Sequence, residues 1–171
     1  DDLEVNKQHF ILSVMLDITD RKQAEDKLRE AQERYSSALE CSGNGVWDWD
    51  AAQDKVVFSK EWKNMLGYAE GEIGDGLDEW SSRVHPDDLS YTMEMLQQHL
   101  DGKTAMYESE HRLRTKEGHY KWILDRGMVI MRDAAGKPLR AIGTHTDITS
   151  IKELAWKGFC ASSCGCCCFP S

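Results

Sequence analysis

The sequence predicts an α+β domain in which one five-stranded antiparallel sheet carries its helices on one face. Two short strand-like runs come first, at 46–50 and 55–58, and three longer ones follow at 106–115, 119–132 and 138–148. Alternation of apolar and polar residues is typical of half-buried strands. Helix-forming segments fill the interval between the two groups, so the predicted order is β-β-α-α-α-β-β-β.

Composition limits the classes of function that the chain supports. Its 171 residues suit one domain with appendages, and a net charge of -9 argues against nucleic-acid binding, which needs a basic face. The longest apolar stretch, 10–16, is interrupted by Ser13, so we expect no membrane segment. Cys41 stands apart from five cysteines near the end of the chain, a pattern that favours a reduced, cytoplasmic protein.

A short internal repeat predicts the domain boundaries. The tripeptide Asp-Ile-Thr occurs at 17–19 and again at 147–149, each time after a strand-like run and before a helix-forming one. The two copies are one domain length apart. We therefore interpret residues 1–19 as the last strand of a preceding copy and residues 36–150 as a complete copy. The chain is then expected to be a piece of a longer protein.

The segment between the two copies, 20–40, is rich in strong helix formers, and Thr19 or Asp20 is placed to cap its first turn. Apolar residues recur along it at alternating spacings of four and three, which form the seam of a heptad repeat. The seam consists of Ala24, Leu28, Ala31, Tyr35 and Ala38. We predict a coiled-coil linker helix that forms a parallel homodimer. The alternative is an amphipathic helix packed on its own domain.

Gly, Pro and Ser residues delimit the helices of the body. Ser59 is suited to cap a short helix that ends at Gly67. Residues 68–80 place glycines among acidic residues and are predicted as irregular turns with short helical pieces. Pro86 suits the first turn of a longer helix, which Gly102 ends.

Four motifs occur in order along the body. They are Arg-Tyr through Gly-Val-Trp-Asp-Trp-Asp at 34–50, Trp through His-Pro-Asp-Asp at 80–88, Glu-His-Arg-Leu-Arg through Gly-His-Tyr-Lys-Trp at 110–122, and Gly-Lys-Pro through Thr-Asp-Ile-Thr at 136–149. Together they resemble a PAS domain of the PAS_3 subclass, whose closing segment is the PAC motif. The resemblance covers residues 34–152.

This resemblance implies a non-catalytic sensory module of a multi-domain bacterial sensor protein. In the family, tandem copies joined by helices feed a histidine kinase, a diguanylate cyclase or a phosphodiesterase, so an effector domain in the same parent chain is the implied partner. It also implies a signal junction, in which Asp147 braces the joint between the last strand and the exit helix and Thr149 caps that helix. Short side-chain hydrogen bonds would stiffen such a joint.

The body carries an unusual number of aromatic residues, which suggests a pocket for a flat or apolar ligand. The candidate lining residues are Trp47, Trp49, Phe58, Trp62, Met65, Trp80, Met93, Leu96 and Trp122. The alternative is that these side chains form only the packed core between sheet and helices.

We expect no bound cofactor, and the alternative function is a sensor that binds flavin, haem or a small metabolite. Haem-binding members of the family often use an axial histidine on the long helix, whereas His99 lies near the end of that helix. The reactive-cysteine motif of the flavin photoreceptors is absent, because Cys41 precedes the first strand.

The sequence also predicts neither an enzyme nor a metal site. His-Pro-Asp-Asp at 85–88 invites a metal or acid–base role, but a helix start already explains Pro and Asp there. The six histidines show no metal-ligand spacing, and the chain has no phosphate-binding loop and no nucleophile elbow.

Residues 151–171 begin as an exit helix and end in a cysteine-rich tail that matches nothing in the family. We interpret this tail as an artefact, namely a cloning or reading-frame scar or a shifted gene end. The alternatives are metal binding by its thiolates and a prenylation box at 168–171, which Pro170 fits poorly.

Overall fold

The computed structural model describes residues 2–5, 8–11 and 16–162. The chain divides into two compact units, Asp1–Ala38 and Leu39–Ser171. Among the described residues, no helix is both long and apolar enough to pass through a bilayer. Most of the cysteine-rich tail lies outside the described residues, so its interpretation stays a prediction.

The first unit opens with two short strands, whereas the sequence predicts a single strand within residues 1–19. Strands β1 (Asp2–Val5) and β2 (Gln8–Ile11) pair antiparallel. Pairing gives backbone N–H and C=O groups the partners that a lone strand would lack. The origin of these strands in a preceding copy of the domain stays a prediction.

Helix α1 (Thr19–Ser42) follows and continues into the second unit. Its first turn is closed by Asp17, whose carboxylate accepts the Thr19 amide at 2.9 Å, and not by the side chain of Thr19 or Asp20 as expected. The second copy of the tripeptide, at 147–149, makes the same contact at 2.9 Å. The two Asp-Ile-Thr sequences thus share a local geometry, as an internal repeat requires.

One five-stranded antiparallel sheet forms the base of the second unit. Its strands are β3 (Gly45–Asp50), β4 (Lys55–Phe58), β5 (Tyr107–Arg114), β6 (Tyr120–Arg132) and β7 (Pro138–Asp147). They lie in the order β4-β3-β7-β6-β5, so the first and last strands of the body meet at the centre. The predicted fold class is confirmed, and each strand begins and ends at or next to its predicted residue.

Helices cover one face of this sheet. They are α2 (Lys60–Met65), a 3-10 turn (Glu70–Glu72), α3 (Asp78–Ser81) and α4 (Pro86–Leu100), and α5 (Thr149–Ser162) leaves the sheet after β7. The Ser59 hydroxyl caps α2 by accepting the Trp62 amide at 3.2 Å, as predicted. Gly102 follows α4 with a φ of 76°, a conformation that ends a helix and favours glycine.

Helix α4 is tied to the edge strand β5 by its first turn. The Asp88 carboxylate accepts the Arg112 amide at 2.9 Å and pairs with the guanidinium of Arg112 at 2.9 and 2.8 Å. Although partial burial opposes the charge, these bonds hold the pKa of Asp88 below its ordinary value. The His-Pro-Asp-Asp motif therefore has a structural role, since Pro86 starts the helix and Asp88 fastens it.

Trp47 crosses the inner face of the sheet on a platform of two glycines. Gly127 and Gly143 lie opposite each other on β6 and β7, and a Cβ at either position would overlap the indole ring. Neither has a positive φ, so the close approach and not the backbone conformation requires glycine. The ring can therefore reach across to β6, where its Nε1 donates to Asp125 at 2.7 Å.

The platform predicts a measurable loss of stability on adding one methyl group. Gly127→Ala should lower the free energy of unfolding by about 1–3 kcal/mol, the range typical of an overpacked core. Gly71→Ala is the matched control, because a Cβ there would meet no atom within 4 Å, and the change should stay within about 0.5 kcal/mol. Urea unfolding followed by tryptophan fluorescence measures both free energies. Equal losses in the two variants would contradict the claim that the Trp47 ring requires glycine at position 127.

Candidate functional site

A cavity of about 180 Å³ lies between the inner face of the sheet and helix α4. Its walls are largely aromatic and aliphatic, which is the usual composition of a small-molecule site. The lining residues are Trp47, Trp49, Val56, Phe58, Leu77, Trp80, Met93, Leu96, Gln97, Leu100, Tyr107, Asp125, Ala141 and His145.

The cavity brings together most of the residues that the sequence suggests for a pocket. Those lining it are Trp47, Trp49, Phe58, Trp80, Met93 and Leu96. Trp62 and Met65 pack into the adjacent core instead, where Trp62 is fully buried and its ring centroid lies 4.2 Å from that of Phe58.

Trp122 does not belong to the cavity. It alternates along β6 with the fully buried Ile123, so its side chain lies on the opposite face of the sheet. There the Arg112 guanidinium lies 5.3 Å and the Lys152 ammonium 5.0 Å from the centroid of the indole ring. The prediction that Trp122 lines the pocket is therefore wrong. The sequence alone does not indicate which face of a strand a tryptophan occupies.

Three buried tryptophans donate their indole N–H groups to polar side chains of the sheet. The pairs are Trp47 with Asp125 at 2.7 Å, Trp62 with His145 Nδ1 at 2.8 Å, and Trp80 with His111 Nε2 at 3.3 Å. All three acceptors are buried, and they lie on the adjacent strands β5, β6 and β7. An unpaired buried N–H costs about 1–3 kcal/mol, so these acceptors permit the rings to be buried.

The hydrogen bonds also assign the histidine tautomers. Nδ1 of His145 accepts from Trp62, so a neutral ring carries its proton on Nε2, which lies 3.0 Å from the Asp125 carboxylate. By the same argument, His111 carries its proton on Nδ1, because its Nε2 accepts from Trp80. Asp125 is thus a buried carboxylate that faces N–H groups, an arrangement that stabilises its negative charge.

The three acceptors form a cluster with the dimensions of a metal site. His111, Asp125 and His145 each offer one ligand atom within 4.8 Å of the others. The tautomers argue against metal binding, because each ring nitrogen either carries a proton or already accepts from a tryptophan, and a metal needs a free lone pair. The cluster is therefore better suited to hold the charge of Asp125 than to hold a cation.

These three polar residues are not among the site candidates drawn from the sequence, although one pattern indicates a buried His111. In the strand Tyr-Glu-Ser-Glu-His-Arg-Leu-Arg, charged residues alternate with uncharged ones, which places His111 in the same phase as Tyr107 and Leu113. That phase is the buried one. A histidine in a buried phase next to several tryptophans predicts an imidazole acceptor for an indole donor.

Neither of the two residues weighed as cofactor ligands, His99 and Cys41, lines the cavity. His99 Nε2 accepts the Val129 amide at 3.0 Å, and its Nδ1 lies 3.0 Å from the carbonyl oxygen of Thr104. With both nitrogens engaged, His99 fastens the end of α4 to β6 and has no lone pair for a haem iron. Cys41 is exposed near the end of α1 and does not line the cavity.

The junction between β7 and α5 is held by short hydrogen bonds. Asp147 accepts the Thr149 amide at 2.9 Å and pairs with Lys121 at 2.9 Å, whereas the Thr149 hydroxyl accepts the Trp122 amide at 3.0 Å. Asp147 therefore joins the strand to the first residue of the helix, whereas the Thr149 hydroxyl ties the helix to β6 instead of capping it. Although partial burial opposes the charge, Thr149 and Lys121 hold the pKa of Asp147 below its ordinary value.

Further contacts attach the first turn of α5 to the outer face of the sheet. Ile148 is buried, and its amide donates to the carbonyl of Trp122 at 2.8 Å. Lys152 pairs with Glu110 on β5 and lies against the ring of Trp122. The exit helix is therefore connected to β5 and β6 as well as to β7, from which it continues.

The histidine cluster predicts a pH-dependent stability. Burial lowers the pKa of His111 from 6.5 to about 4, and the attraction of Asp125 offsets this only in part. Between pH 4 and pH 6.5, His111 binds a proton in the unfolded chain but not in the folded chain. The free energy of unfolding is therefore highest above pH 6.5 and falls as the pH is lowered toward 4. The loss amounts to roughly 3 kcal/mol at about 1.4 kcal/mol per pKa unit.

Urea unfolding at a series of pH values across this window measures the effect. His111→Gln should flatten the pH dependence, because glutamine keeps an acceptor for Trp80 and does not titrate. His119→Gln, at an exposed position, should leave the slope unchanged. An unaltered slope in His111→Gln would assign the proton to another group and overturn the prediction.

Comparison with known proteins places this geometry in a family. The PAS_3 family model, described as a PAS fold, matches residues 55–145. The chain is 28% identical over 140 residues to the two-component sensor PprA of Pseudomonas aeruginosa, covering 80% of this chain and 14% of that protein. It is 24% identical over 149 residues to the probable diguanylate cyclase DgcE of Escherichia coli, covering 85% of this chain and 13% of that protein.

Among solved structures, a sensory box histidine kinase/response regulator from Burkholderia thailandensis superimposes with a TM-score of 0.66 at 29% identity. The match covers 75% of this chain and 95% of that chain. The chain spans only 14% and 13% of the lengths of the two curated relatives named above. The family match agrees with the sheet and helices described above. This chain belongs to the PAS_3 family and is a PAS sensory domain of the kind found in multi-domain sensor proteins.

Proposed function

We propose that this domain is a non-catalytic input module that passes a change at its cavity through the sheet and α5 to an output domain. The observation that carries the proposal is the course of β7. This strand lines the cavity with Ala141 and His145 and then ends at the Asp147 junction. The last cavity-lining residue of this strand, His145, therefore lies two residues before Asp147 and four residues before the start of the exit helix at Thr149.

The contacts on β6 support the same route. Asp125 lines the cavity, and three residues earlier the amide of Trp122 donates to Thr149 while its carbonyl accepts from Ile148. A helix held on two strands by hydrogen bonds must follow when those strands shift relative to each other. Such a relay requires two helix arrangements close in free energy, which the input biases differently.

Binding rather than catalysis suits the polar groups of the cavity. Among the described residues, Asp125 and His145 are engaged with each other and with tryptophans, and no nucleophile lies beside a base with a free lone pair. The output is accordingly assigned to another domain of the parent chain. Similarity to a two-component sensor and a probable diguanylate cyclase supports a kinase or a cyclase there, and a phosphodiesterase fits the same role.

A homodimer through α1 completes the proposal. Leu28 and Tyr35 of the seam are 61% and 73% exposed, while charged residues beside the seam form ion pairs within the helix, such as Arg21 with Glu25 at 2.8 Å. An exposed apolar seam on a charged helix is typical of a coiled-coil strand.

A reduced, cytoplasmic environment suits the exposed Cys41.

A ligand sensor is the second candidate, and the cavity favours it. Its volume of about 180 Å³ lies below the range of roughly 300–1,000 Å³ typical of sites for drug-sized ligands. A small metabolite therefore fits better than flavin or haem. The visible absorption spectrum of the purified protein separates these cases, because either large cofactor would colour it.

The relay predicts that one hydroxyl controls the order of α5. Thr149→Val removes the acceptor of the Trp122 amide at nearly constant shape. Hydrogen exchange of the amides of residues 152–154 should quicken roughly fivefold to tenfold, which corresponds to losing a hydrogen bond of about 1 kcal/mol. The fully buried Ile123 amide should be unaffected.

Thr146→Val is the matched control. This threonine lies on β7, and its hydroxyl makes no hydrogen bond within the part of the chain that the structure describes. Exchange in α5 should stay unchanged in this variant. Equal exchange in the two variants would remove the junction from the proposed route.

The dimer is tested by a charge in the seam. Leu28→Asp should dissociate the dimer into monomers, because a carboxylate at a seam position cannot be buried unpaired. Gln23→Asp adds the same charge outside the seam and should leave the dimer intact. Sedimentation velocity at high micromolar concentration measures both, and a monomeric unsubstituted chain would refute the dimer.

A further inference from the structure

One imidazole of the core offers a single atom for which an indole and a proton compete. Nε2 of His111 accepts the indole N–H of Trp80 at 3.3 Å, and the two rings meet edge to face. A neutral imidazole has one such acceptor nitrogen, whereas an imidazolium carries N–H groups on both nitrogens and accepts nothing. Trp80 can therefore keep this hydrogen bond only while His111 is neutral.

Trp80 anchors helix α3 to the sheet. Among the residues of this helix, all of which the structure describes, it alone is buried, with 5% of its surface exposed. The same residue lines the cavity. A buried N–H has no water to replace a lost acceptor, so the buried position of the ring becomes unfavourable once His111 no longer accepts. A change at Trp80 is thus a change both in the attachment of α3 and in the cavity wall.

The groups that face His111 from the elements packed against it act in opposite directions. Burial and His145 on β7, whose ring centroid lies 5.8 Å away, oppose a positive charge on the ring, whereas Asp125 on β6 and Asp88 on α4 favour it. Burial is the largest of these effects and lowers the pKa of His111 to about 4. The ring is therefore neutral at neutral pH and takes up its proton in acid.

The strand that carries His111 also contacts the exit helix. Glu110 precedes His111 on β5, and its carboxylate pairs with Lys152 of α5. Arg112 follows His111 and is fastened to Asp88 of α4. The residue that binds the proton thus lies between two residues that hold helices, one of which is the exit helix.

We infer that a proton is an input to this domain: when His111 is protonated, its Nε2 no longer accepts from Trp80, and α3 loosens from the sheet. Histidines whose hydrogen bonds change on protonation are a common basis of acid-sensitive switches. The inference names an input for the relay proposed above and rests on that proposal for its biological meaning.

An NMR titration of isotope-labelled protein, from neutral pH to below the His111 midpoint, tests this inference. The ring carbons of His111 report its protonation, and the indole N–H resonances report the tryptophans. The Trp80 resonance should move upfield with the same midpoint as His111, because its N–H loses a hydrogen bond. The Trp122 resonance, from the other face of the sheet, should stay in place.

Two results of this titration would overturn the inference. One is a Trp80 resonance that stays in place while His111 titrates, since the proton and the indole would then not compete. The other is the simultaneous loss of all indole signals, because acid would then unfold the domain as a whole instead of releasing α3.

Two histidine variants identify the group that binds the proton. His111→Gln keeps an acceptor for Trp80 and does not titrate, so the Trp80 resonance should no longer move with pH. His119→Gln, at an exposed position, should leave the movement unchanged. A Trp80 resonance that still moves in His111→Gln would assign the response to another group and contradict the inference.

Two tryptophan variants test the competition itself. Trp80→Phe removes the indole donor, so the proton affinity of His111 should rise about fivefold, the effect of one hydrogen bond to the neutral ring. Trp62→Phe makes the same truncation at an indole that donates to His145, and it should not raise the proton affinity of His111. An equal rise in both variants would assign the effect to lost packing and refute the competition.

Hydrogen exchange in α5 separates this inference from the relay. Near the His111 midpoint, the amides of residues 152–154 should exchange faster in the unsubstituted protein than in His111→Gln at the same pH. If Trp80 moves with His111 while α5 exchanges equally in both proteins, the acid response stands and the relay fails. If Trp80 does not follow His111, while Thr149→Val still loosens α5, the junction stands and the acid response fails.

Discussion

Hydrogen bonds from three buried indole N–H groups to polar side chains of the sheet organise the core of the PAS domain. Trp47, Trp62 and Trp80 come from β3, α2 and α3, and their acceptors lie on β6, β7 and β5. Each hydrogen bond therefore joins an element of the first half of the domain to a strand of the second half. The sheet and its helices are held in register by polar contacts within an otherwise apolar core.

This arrangement gives the core a fixed distribution of charge and protons. Trp62 and Trp80 donate to one ring nitrogen of His145 and His111 respectively, and the Asp125 carboxylate accepts from Trp47 and lies 3.0 Å from Nε2 of His145. The same network explains why a cluster with the spacing of metal ligands is a poor metal site.

The cavity and the exit helix share the same strands. His145 lies two residues before Asp147 on β7, and Asp125 lies three residues after Trp122 on β6, with its side chain on the opposite face of the sheet. The Asp-Ile-Thr sequence joins β7 to α5, and its earlier copy makes the same bond at the start of α1.

Local patterns in the sequence were sufficient for the fold class, the strand boundaries, the cap at Ser59, the helix start at Pro86, and the family, because these depend on neighbours along the chain. Six of the nine pocket candidates drawn from the sequence line the cavity, since large apolar side chains are costly to expose, but the other eight lining residues were not among them. The sequence did not identify the role of Gly127 and Gly143, the acceptors His111, Asp125 and His145, or the outward position of Trp122. Those depend on which residues face each other across strands far apart in sequence, and only the pairing of the strands decides that.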